Sequence, residues 1–481
     1  MFKFSFCWGQ TESLLNGLAQ EISFYRKDPS TMGFAANFNN HLQFWINGMS
    51  NNYFGEDHLK AWRDASEKHK SSEFVTKVFL ESKKIRQRYY KIIKDIEKTN
   101  FEKVSRKRLL KLFKDYYHSL VEIRGMFTIS APNGTYYVEQ QIKNLLFEIN
   151  DEKKEKETYI LIITPTKQDL IQREKVGWLK LVSKKYNDKI LMQHAKKYAS
   201  FFFNTYDEKF VLDYLRNKAK EESIHELRDE VKKTYIHLNE IKNRQKNIFP
   251  KFDKKLRYYA QILQKHAIDR FELKNCWSGA EFLALSLFKK LSGLANISIH
   301  DFMKSYYHED IERLIIKGIC LKKDEITRRK ICFACYFHDN KLLFKSGSEA
   351  EGLIKQLLRK RDSLTKELKG MTASSGNVKG ITKGTARVVL VTDLAGFVKD
   401  LSEFKKGEIL VTTMTTPNMV VIMKKASGIV TDEGGICSHA AVISRELNLP
   451  CIVGTKDATR TIKTGDIIEI DTSNGKVKIL G

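Results

Sequence analysis

The chain has 481 residues, of which 42% are hydrophobic and 30% are charged, and this length suffices for two to four domains. The sequence contains no stretch of about 18 or more apolar residues, so we expect no membrane span. The first nine residues lack the charged segment, long apolar run and cleavage site of a signal peptide. We therefore expect a cytoplasmic protein.

The net charge is +26, from 84 Lys and Arg against 58 Asp and Glu, and most of it lies before residue 376. Such an excess is compatible with binding to nucleic acid, anionic lipid or phosphorylated substrates. The basic residues are spread over many predicted helices and do not cluster with aromatic residues. We therefore favour solvated helix faces, and nucleic-acid binding ranks last among the functions that the charge permits.

The seven cysteines show no regular spacing, which argues against a disulfide framework. Cys332 and Cys335 form a single C-x-x-C without a second pair or a nearby pair of histidines. A zinc or redox site is therefore disfavoured there, and a buried apolar strand is favoured. We predict no metal site in the chain.

Residues 1–368 are predicted to be mostly α-helical. Apolar residues recur at three- and four-residue spacing in long stretches without Pro. The sequence does not decide whether a break near residues 150–166 separates two domains or only two helical layers. The clearest helical stretches are residues 74–96, 108–127, 190–203, 224–248 and 254–274, with breaks at 132–134, 164–166 and 249–250.

A change of pattern near residue 331 marks the end of this region. Residues 332–337 and 341–344 predict a β-hairpin with a polar turn, and a helix is predicted over residues 348–368. Residues 369–377 are small, polar and rich in Gly and Ser, which predicts a flexible linker.

Residues 378–481 are predicted to form a compact α/β domain in which short strands alternate with Gly turns and brief helices. The predicted helices are residues 419–426 and 438–447. The predicted strands are residues 385–391, 408–412, 428–431, 451–453, 466–470 and 477–480, with a hairpin turn at residues 473–475.

The segment from Thr431 to Glu446 carries the most informative pattern. A strand ends at Thr431, Gly434 and Gly435 allow a tight turn, and a helix begins at about Ser438. His439 then lies in the first turn of that helix, where backbone N–H groups favour an anion. A neutral imidazole can offer one ring nitrogen as a nucleophile while the other is held by a hydrogen bond.

The same segment resembles the phosphohistidine signature of the phosphoenolpyruvate-utilising enzymes, a family that includes phosphoenolpyruvate (PEP) synthase, pyruvate phosphate dikinase and rifampicin phosphotransferase. The resemblance extends to both sides, over Gly380, residues 384–388, 416–419, 426–432 and 449–455, and Gly465 with Asp466. It implies a mobile, swivelling domain in which His439 is the catalytic residue that carries the phosphoryl group.

By the same resemblance, Gly434, Gly435, Cys437, Ser438 and Arg445 are expected to stabilise that phosphoryl group. The family usually carries Thr or another hydroxyl residue at the position of Cys437. A thiol caps a helix and donates to phosphate more weakly than a hydroxyl. Arg445 matches an Arg of the signature, and an Arg on the helix surface is an equally compatible interpretation.

Two modules of the relatives have no counterpart in the sequence. Residues 1–370 contain no recognisable nucleotide-binding motif, and we expect no barrel of the kind that handles PEP after Gly481. We therefore expect that no cofactor is bound by a motif of this chain, and that ATP and Mg bind to a separate nucleotide-grasp subunit.

The helical region resembles, more loosely, the acceptor-binding part of rifampicin phosphotransferase. The resemblance is carried by residues 194–198, Tyr206, residues 269–270 and residues 325–330, and it implies a small-molecule acceptor. His194 and Tyr198 lie one helical turn apart and are candidates to line the acceptor pocket. A packed His–Tyr pair inside the helical layer is the favoured alternative.

The sequence therefore predicts a phosphotransferase component that carries a phosphoryl group on His439 from a nucleotide- or PEP-dependent donor module to an unidentified acceptor. Two alternatives stay open. The chain could be a phosphocarrier or regulatory protein whose helical region docks partner proteins and has no small-molecule site. It could also be a basic nucleic-acid-binding protein with a relic His domain.

Overall fold

Two β-sheets organise the chain, whose computed structural model describes residues 4–147, 151–358, 367–376, 380–390, 399–400, 402–415, 419–435 and 438–480. The strands of the first sheet are β1 Phe4–Thr11, β2 His41–Ile46, β3 Met49–Gly55, β4 Cys332–His338 and β5 Lys341–Ser346. They are antiparallel throughout, in the order β1-β3-β2-β4-β5.

Only part of this first sheet is predicted from the sequence. The predicted hairpin of β4 and β5 is confirmed, whereas β1, β2 and β3 lie in a region predicted to be helical. Strand β2 pairs with β4, which places His41 opposite Phe337. Strands β2 and β4 are covered on both faces. Trp45 of β2 and Phe333 of β4 lie on the side of α1 (Leu14–Tyr25). Contact between segments so distant in the chain produces no local periodicity.

Helices fill the rest of the N-terminal part, as predicted. After α1 they are α2 Glu56–Ala65, α3 Ser72–Lys98, α4 Arg106–Ser130, α5 Tyr136–Leu146, α6 Glu152–Ile163, α7 Leu170–Val182, α8 Asp188–Lys197, α9 Glu208–Glu221, α10 Ile224–Ile248, α11 Lys254–Ser278, α12 Ala280–Leu283, α13 Leu285–Leu294, α14 Ile299–Ser305, α15 His308–Lys317, α16 Lys323–Ile331 and α17 Ser348–Leu357. Short 3-10 turns occupy Pro29–Thr31, Phe34–Asn37, Ser66–Lys70, Ala199–Phe202 and Phe249–Lys251.

The longest helices show why these segments are helical. Along α3 the buried side chains recur every three or four residues, from Val75 and Val78 to Ile93 and Ile96, so one stripe faces the core. Helix α4 packs against α1, α3 and α11. One buried cluster joins α5 and α6, which lie on the two sides of residues 148–150, so these helices share a core.

The second sheet belongs to the C-terminal domain. Its strands are β6 Glu367–Lys369, β7 Met371–Ser375, β8 Ile381–Val388, β9 Ile409–Thr412, β10 Gly428–Thr431, β11 Pro450–Val453, β12 Ile467–Asp471 and β13 Lys476–Ile479. Their order is β6-β13-β12-β8-β9-β10-β11-β7. Strands β8 to β11 run parallel, and antiparallel strands flank them on both sides.

Among the described residues of this domain, helices include α18 Val420–Lys425 between β9 and β10, α19 His439–Glu446 between β10 and β11, and α20 Ala458–Thr461 before β12. The region is an α/β domain, as predicted, and its predicted strands and helices occur in the predicted order, whereas α20 was not predicted. Within the described ranges, no helix is long and apolar enough to cross a membrane.

The predicted flexible linker at residues 369–377 is wrong for most of its length. Residues 371–375 form β7, which pairs with β11, and residues 367–369 form β6, which pairs with β13. The predicted helix over residues 348–368 correspondingly ends at Leu357. The small polar side chains of β7 carry no strand pattern, and pairing with the apolar β11 makes this segment a strand. The C-terminal domain therefore begins no later than Glu367.

Candidate active site

His439 is the first residue of α19, at the point where the chain returns from the carboxyl end of β10. Ser438 caps this helix, because its Oγ accepts a hydrogen bond of 3.3 Å from the backbone N–H of Ala441. Gly434 has φ +111°, a conformation that strongly favours glycine. A Cβ at this glycine would lie 2.8 Å from Ser438 Oγ. The loop thus needs a glycine at position 434 so that the capped helix can begin where it does.

The two ring nitrogens of His439 lie in different environments. Nδ1 lies 2.7 Å from Oγ1 of Thr415, which follows β9. Nε2 is buried and has no hydrogen-bond partner among the described residues. A proton on Nδ1, donated to Thr415 Oγ1, leaves the lone pair on Nε2. In this tautomer, Nε2 is the ring nitrogen that can act as a nucleophile.

The surroundings keep this imidazole neutral. Burial above all, and then the charges of Lys274 and Lys175, lower the pKa of His439 to about 3. The lone pair on Nε2 is therefore available throughout the physiological pH range, because protonation would require a pH near 3.

A cavity of about 90 Å³ lies between His439 and the N-terminal part, which is room for several waters or for a group of a few heavy atoms. The C-terminal domain contributes His439 and residues 413–415 to its wall. The N-terminal part contributes the start of α1, the end of α11 and the turn after α8. The residues from these elements include Glu12, Asn16, Ser200, Phe203, Asn204, Phe271, Lys274, Trp277 and Ser278, with Met49, Leu170 and Ile171 beside them.

A network of buried polar groups supports one wall of this cavity. The Glu12 carboxylate accepts a hydrogen bond of 3.0 Å from Gln43 Nε2 and lies 3.4 Å from Arg124 Nη2. The Arg124 guanidinium also lies over the Trp277 ring, 4.4 Å from its centroid. These contacts fix Glu12 and Trp277, since both side chains are buried and their partners are buried with them.

Positive charge lies on the His439 side of the cavity. Lys274 reaches the C-terminal domain, where its Nζ lies 3.8 Å from Met414 Sδ. Burial lowers the pKa of Lys274 below its ordinary value, and the charge of Glu433 opposes this shift. Lys175 adds a second nearby charge and pairs with Glu230 of α10 at 3.0 Å. Both cations act electrostatically on the His439 imidazole, and positive charge there suits a phosphoryl group, which carries negative charge.

The residues predicted to stabilise the phosphoryl group differ in how close they lie to His439. Gly434 and Ser438 shape the turn and cap that present His439, and Gly435 leaves open space where a side chain would lie. Cys437 lies outside the described residues. Arg445 donates a hydrogen bond of 3.3 Å to the backbone oxygen of Ala373 in β7, and it is not part of the cavity wall.

His194 and Tyr198 do not line the cavity at His439. His194 Nε2 lies 3.0 Å from Glu174 Oε1, and the Tyr198 hydroxyl donates to the backbone oxygen of Arg173 at 2.9 Å. Both side chains are buried and have partners within the helical layer. The geometry therefore agrees with the alternative of a packed His–Tyr pair.

Several residues of the site were not identified from the sequence, and only for Thr415 does the sequence contain a usable signal. Thr415 follows β9 as His439 follows β10, and the carboxyl ends of neighbouring parallel strands meet at one edge of a sheet. That rule could have identified Thr415. Glu12, Asn16 and Lys274 come from distant segments, and only the tertiary fold brings them to His439. In the part of the chain that the structure describes, no cluster of three or more His, Cys, Asp or Glu residues could hold a metal ion.

Comparisons with known proteins relate the C-terminal region to one enzyme family. The family described as PEP-utilising enzyme, mobile domain, matches residues 404–475. Two similar proteins are a phosphoenolpyruvate synthase of Pyrococcus furiosus, 50% identical over 110 residues, and a probable phosphoenolpyruvate synthase of Pyrococcus horikoshii, 49% identical over 110 residues. Each alignment covers 23% of this chain and 12% of the relative. Residues 404–475 therefore resemble the mobile domain of the PEP-utilising enzymes.

A longer match exists with an uncharacterised phosphotransferase, YvkC, of Bacillus subtilis, which is 30% identical over 184 residues. This alignment covers 36% of the chain and 20% of that protein. A solution structure of an Enzyme I protein (nEIt) is 32% identical, covers 17% of this chain and 33% of that chain, and has a TM-score of 0.16. The chain thus spans between about an eighth and a third of the length of these relatives.

Proposed function

We propose that this chain is a phosphotransferase component that receives a phosphoryl group on Nε2 of His439 and passes it to a small acceptor in the adjacent cavity. The observation that carries the proposal is the asymmetry of the imidazole. Thr415 holds Nδ1, whereas Nε2 lies at the cavity without a partner among the described residues. Lys274 and Lys175 supply charge that favours the phosphorylated state.

The transfer moves one phosphoryl group between two nucleophiles. The acceptor oxygen forms a bond to phosphorus as the Nε2–P bond breaks, and the electron pair of that bond returns to Nε2. The cavity holds the acceptor next to the nitrogen, which replaces a bimolecular encounter by an oriented one. Buried surroundings also limit competing attack by water.

The phosphoryl donor belongs to a second site. Because His439 faces the acceptor cavity here, the C-terminal domain must turn away to meet a donor, and such hinge motions are common in enzymes. We propose that a separate nucleotide-grasp subunit, with its ATP and Mg, phosphorylates His439. The arrangement at the cavity then represents the acceptor-facing position.

Labelling tests this function. The wild-type chain and His439→Ala are incubated with ATP labelled at the β- or γ-phosphate, or with labelled PEP, each with and without an extract of the cells that make the protein. We expect acid-labile label on the wild-type chain only when extract is present. His225→Ala is the matched control, because His225 is an exposed histidine of α10.

The outcomes separate the parts of the proposal. Label that persists in His439→Ala would refute the role of this histidine. Label on the isolated chain with ATP alone would place the nucleotide site within this chain and would remove the need for a partner. Label that appears with PEP and not with ATP would mean that the donor module uses PEP. This result would not affect the role of His439.

A further inference from the structure

One exposed face of helix α10 carries positive charge along most of the helix. Its side chains recur every three or four residues, so they lie on one side of the helix over about 27 Å. The residues of this basic face, all exposed, are Arg228, Lys232, Tyr235, Asn239, Lys242 and Lys246. Along the sequence these cations are spread out, and only the helix brings them to one side.

The acidic residues of α10 lie on its other sides. Glu230 forms an ion pair with Lys175 at 3.0 Å, on the side that faces α7. The helical periodicity puts Glu226, Asp229 and Glu240 outside the basic face as well. The helix therefore separates its charges, and no carboxylate of α10 neutralises the cations of the basic face.

The turn from α10 to α11 adds further positive charge. Lys251, Lys254 and Lys255 are exposed there. The one acidic residue between positions 247 and 257 is Asp253, which caps α11 by accepting a hydrogen bond of 2.6 Å from the backbone N–H of Leu256. Positive charge thus extends from the basic face into the turn that follows it.

The apolar side of α10 is covered by the protein itself. Leu227, Val231, Leu238 and Ile241 are buried, and the helix packs against α7 and α6. A helix that binds a membrane surface inserts an apolar face beside its cations, and α10 has no such face to offer. No residue of the basic face lines the cavity at His439, so this surface is separate from the candidate active site.

Tyr235 and Asn239 lie between two pairs of cations on the basic face, and Tyr235 is 46% exposed. A single-stranded nucleic acid offers phosphates to the cations and flat bases that stack on an exposed aromatic ring. The amide of Asn239 can donate and accept hydrogen bonds at a base edge. An acidic peptide would match the charge but would leave the tyrosine ring without a base to stack on it.

We propose that the basic face of α10 binds single-stranded nucleic acid, with its four cations at phosphates and a base stacked on Tyr235. The observation that carries this proposal is the grouping of four cations and an exposed aromatic residue on one face from which carboxylates are absent. The binding is independent of phosphoryl transfer at His439.

Fluorescence anisotropy on the full chain, with a labelled oligouridine of about 12 nucleotides, tests the proposal. A single strand gives a slope of about −0.7 per neutralised phosphate when the logarithm of the affinity is plotted against that of the salt concentration. Four contacts should therefore give a slope of about −2.8 or steeper. Affinity should fall at least about 50-fold between about 50 and 200 mM salt.

Variants locate the binding. Lys242→Gln together with Lys246→Gln removes two phosphate contacts and should make the slope shallower by about 1.4. The matched control, Lys91→Gln together with Lys94→Gln, removes the same charge from an exposed face of α3 and should leave the slope unchanged. Tyr235→Ala should weaken binding about fivefold or more, whereas Tyr235→Phe keeps the ring and should bind like wild-type protein.

The absence of oligouridine binding at low salt would overturn the proposal, and so would an equal change of slope in the two double variants, because the affinity would then reflect the overall charge of the chain. Polyglutamate of similar length, or vesicles containing phosphatidylserine, bound as tightly as oligouridine would instead indicate an acidic protein or a membrane surface. His439→Ala should bind oligouridine like wild-type protein, which separates this proposal from the proposed function.

Discussion

Replacing Thr415 with Val tests how the C-terminal domain activates its histidine. Val keeps the shape of Thr but removes the hydroxyl that lies 2.7 Å from His439 Nδ1. One neutral hydrogen bond is worth about 0.5–1.5 kcal/mol, which corresponds to about a two- to thirteenfold change in rate. We therefore expect Thr415→Val to slow phosphorylation of Nε2 by that factor and to allow some phosphorylation of Nδ1. Thr415→Ser retains the hydroxyl and should stay close to the wild-type rate.

The assay uses phosphoramidate, a small chemical phosphoryl donor that needs no partner protein. Mass spectrometry follows the rate at His439, and the exposed His225 of the same chain is the internal control, whose rate should not change. Phosphorus NMR reports which ring nitrogen carries the phosphoryl group. Equal rates at His439 in wild-type protein and Thr415→Val, or an equal loss in Thr415→Ser, would refute the argument that Thr415 holds the reactive tautomer.

Three further perturbations test the surroundings of the site. Glu230→Lys replaces the ion pair with Lys424 by a repulsion, so distances between labels on the two parts should spread over a wider range than in wild-type protein. Gly434→Ala should cost about 1–3 kcal/mol of stability, because φ is +111° and Cβ would meet the serine that caps the next helix, whereas Gly435→Ala should cost little. Acid should destabilise the fold: a folded pKa of about 3 for His439 means that only the unfolded chain binds this proton between pH 6.5 and 3. Unfolding free energy therefore falls as pH drops through that window, and His439→Gln should reduce the loss at pH 5 by about 1–2 kcal/mol in denaturant titrations.

Contrary results would be specific to each of these arguments. An unchanged distance distribution in Glu230→Lys would show that this ion pair does not stabilise the docked arrangement. Equal stability of the two glycine variants would contradict the strain assigned to position 434. Identical pH profiles of wild-type protein and His439→Gln would mean that His439 titrates alike in the folded and unfolded chains.

The C-terminal domain was largely predictable because its information is local. Each of the strands β9 to β11 is a short apolar run followed by residues that favour a turn or a helix start. The turn at Gly434 and Gly435 predicts the start of α19. Strand β7 is the exception within this domain. Its small polar residues predict a linker, and only its pairing with β11 makes it part of the sheet.

The N-terminal sheet was not predictable from local patterns. Strand β3 is rich in polar residues, with the sequence MSNNYFG, and it forms a strand because β1 and β2 pair with it on both sides. The pairing of β2 with β4 joins segments separated by most of the chain. Helices such as α10 and α11, whose backbone hydrogen bonds form within the helix, begin at the predicted residues.

The candidate site divides in the same way. His439 follows from its own segment, because the turn, the cap and the helix start are neighbours in sequence. The groups that would bind an acceptor do not, since Glu12 and Asn16 come from the start of the chain and Lys274 from α11. His194 and Tyr198 had the right chemistry and helical spacing, but their partners Glu174 and Arg173 lie within the helical layer.

The most direct test of the central claim is to identify the phosphorylated atom. The chain, labelled with ¹⁵N at its histidines, is phosphorylated in the extract and analysed by phosphorus and nitrogen NMR at alkaline pH, where phosphohistidine survives. We predict one phosphohistidine, located at residue 439 and bonded through Nε2, because Thr415 occupies Nδ1. A phosphoryl group on Nδ1 of His439, or on any other residue while His439 stays unmodified, would contradict this account.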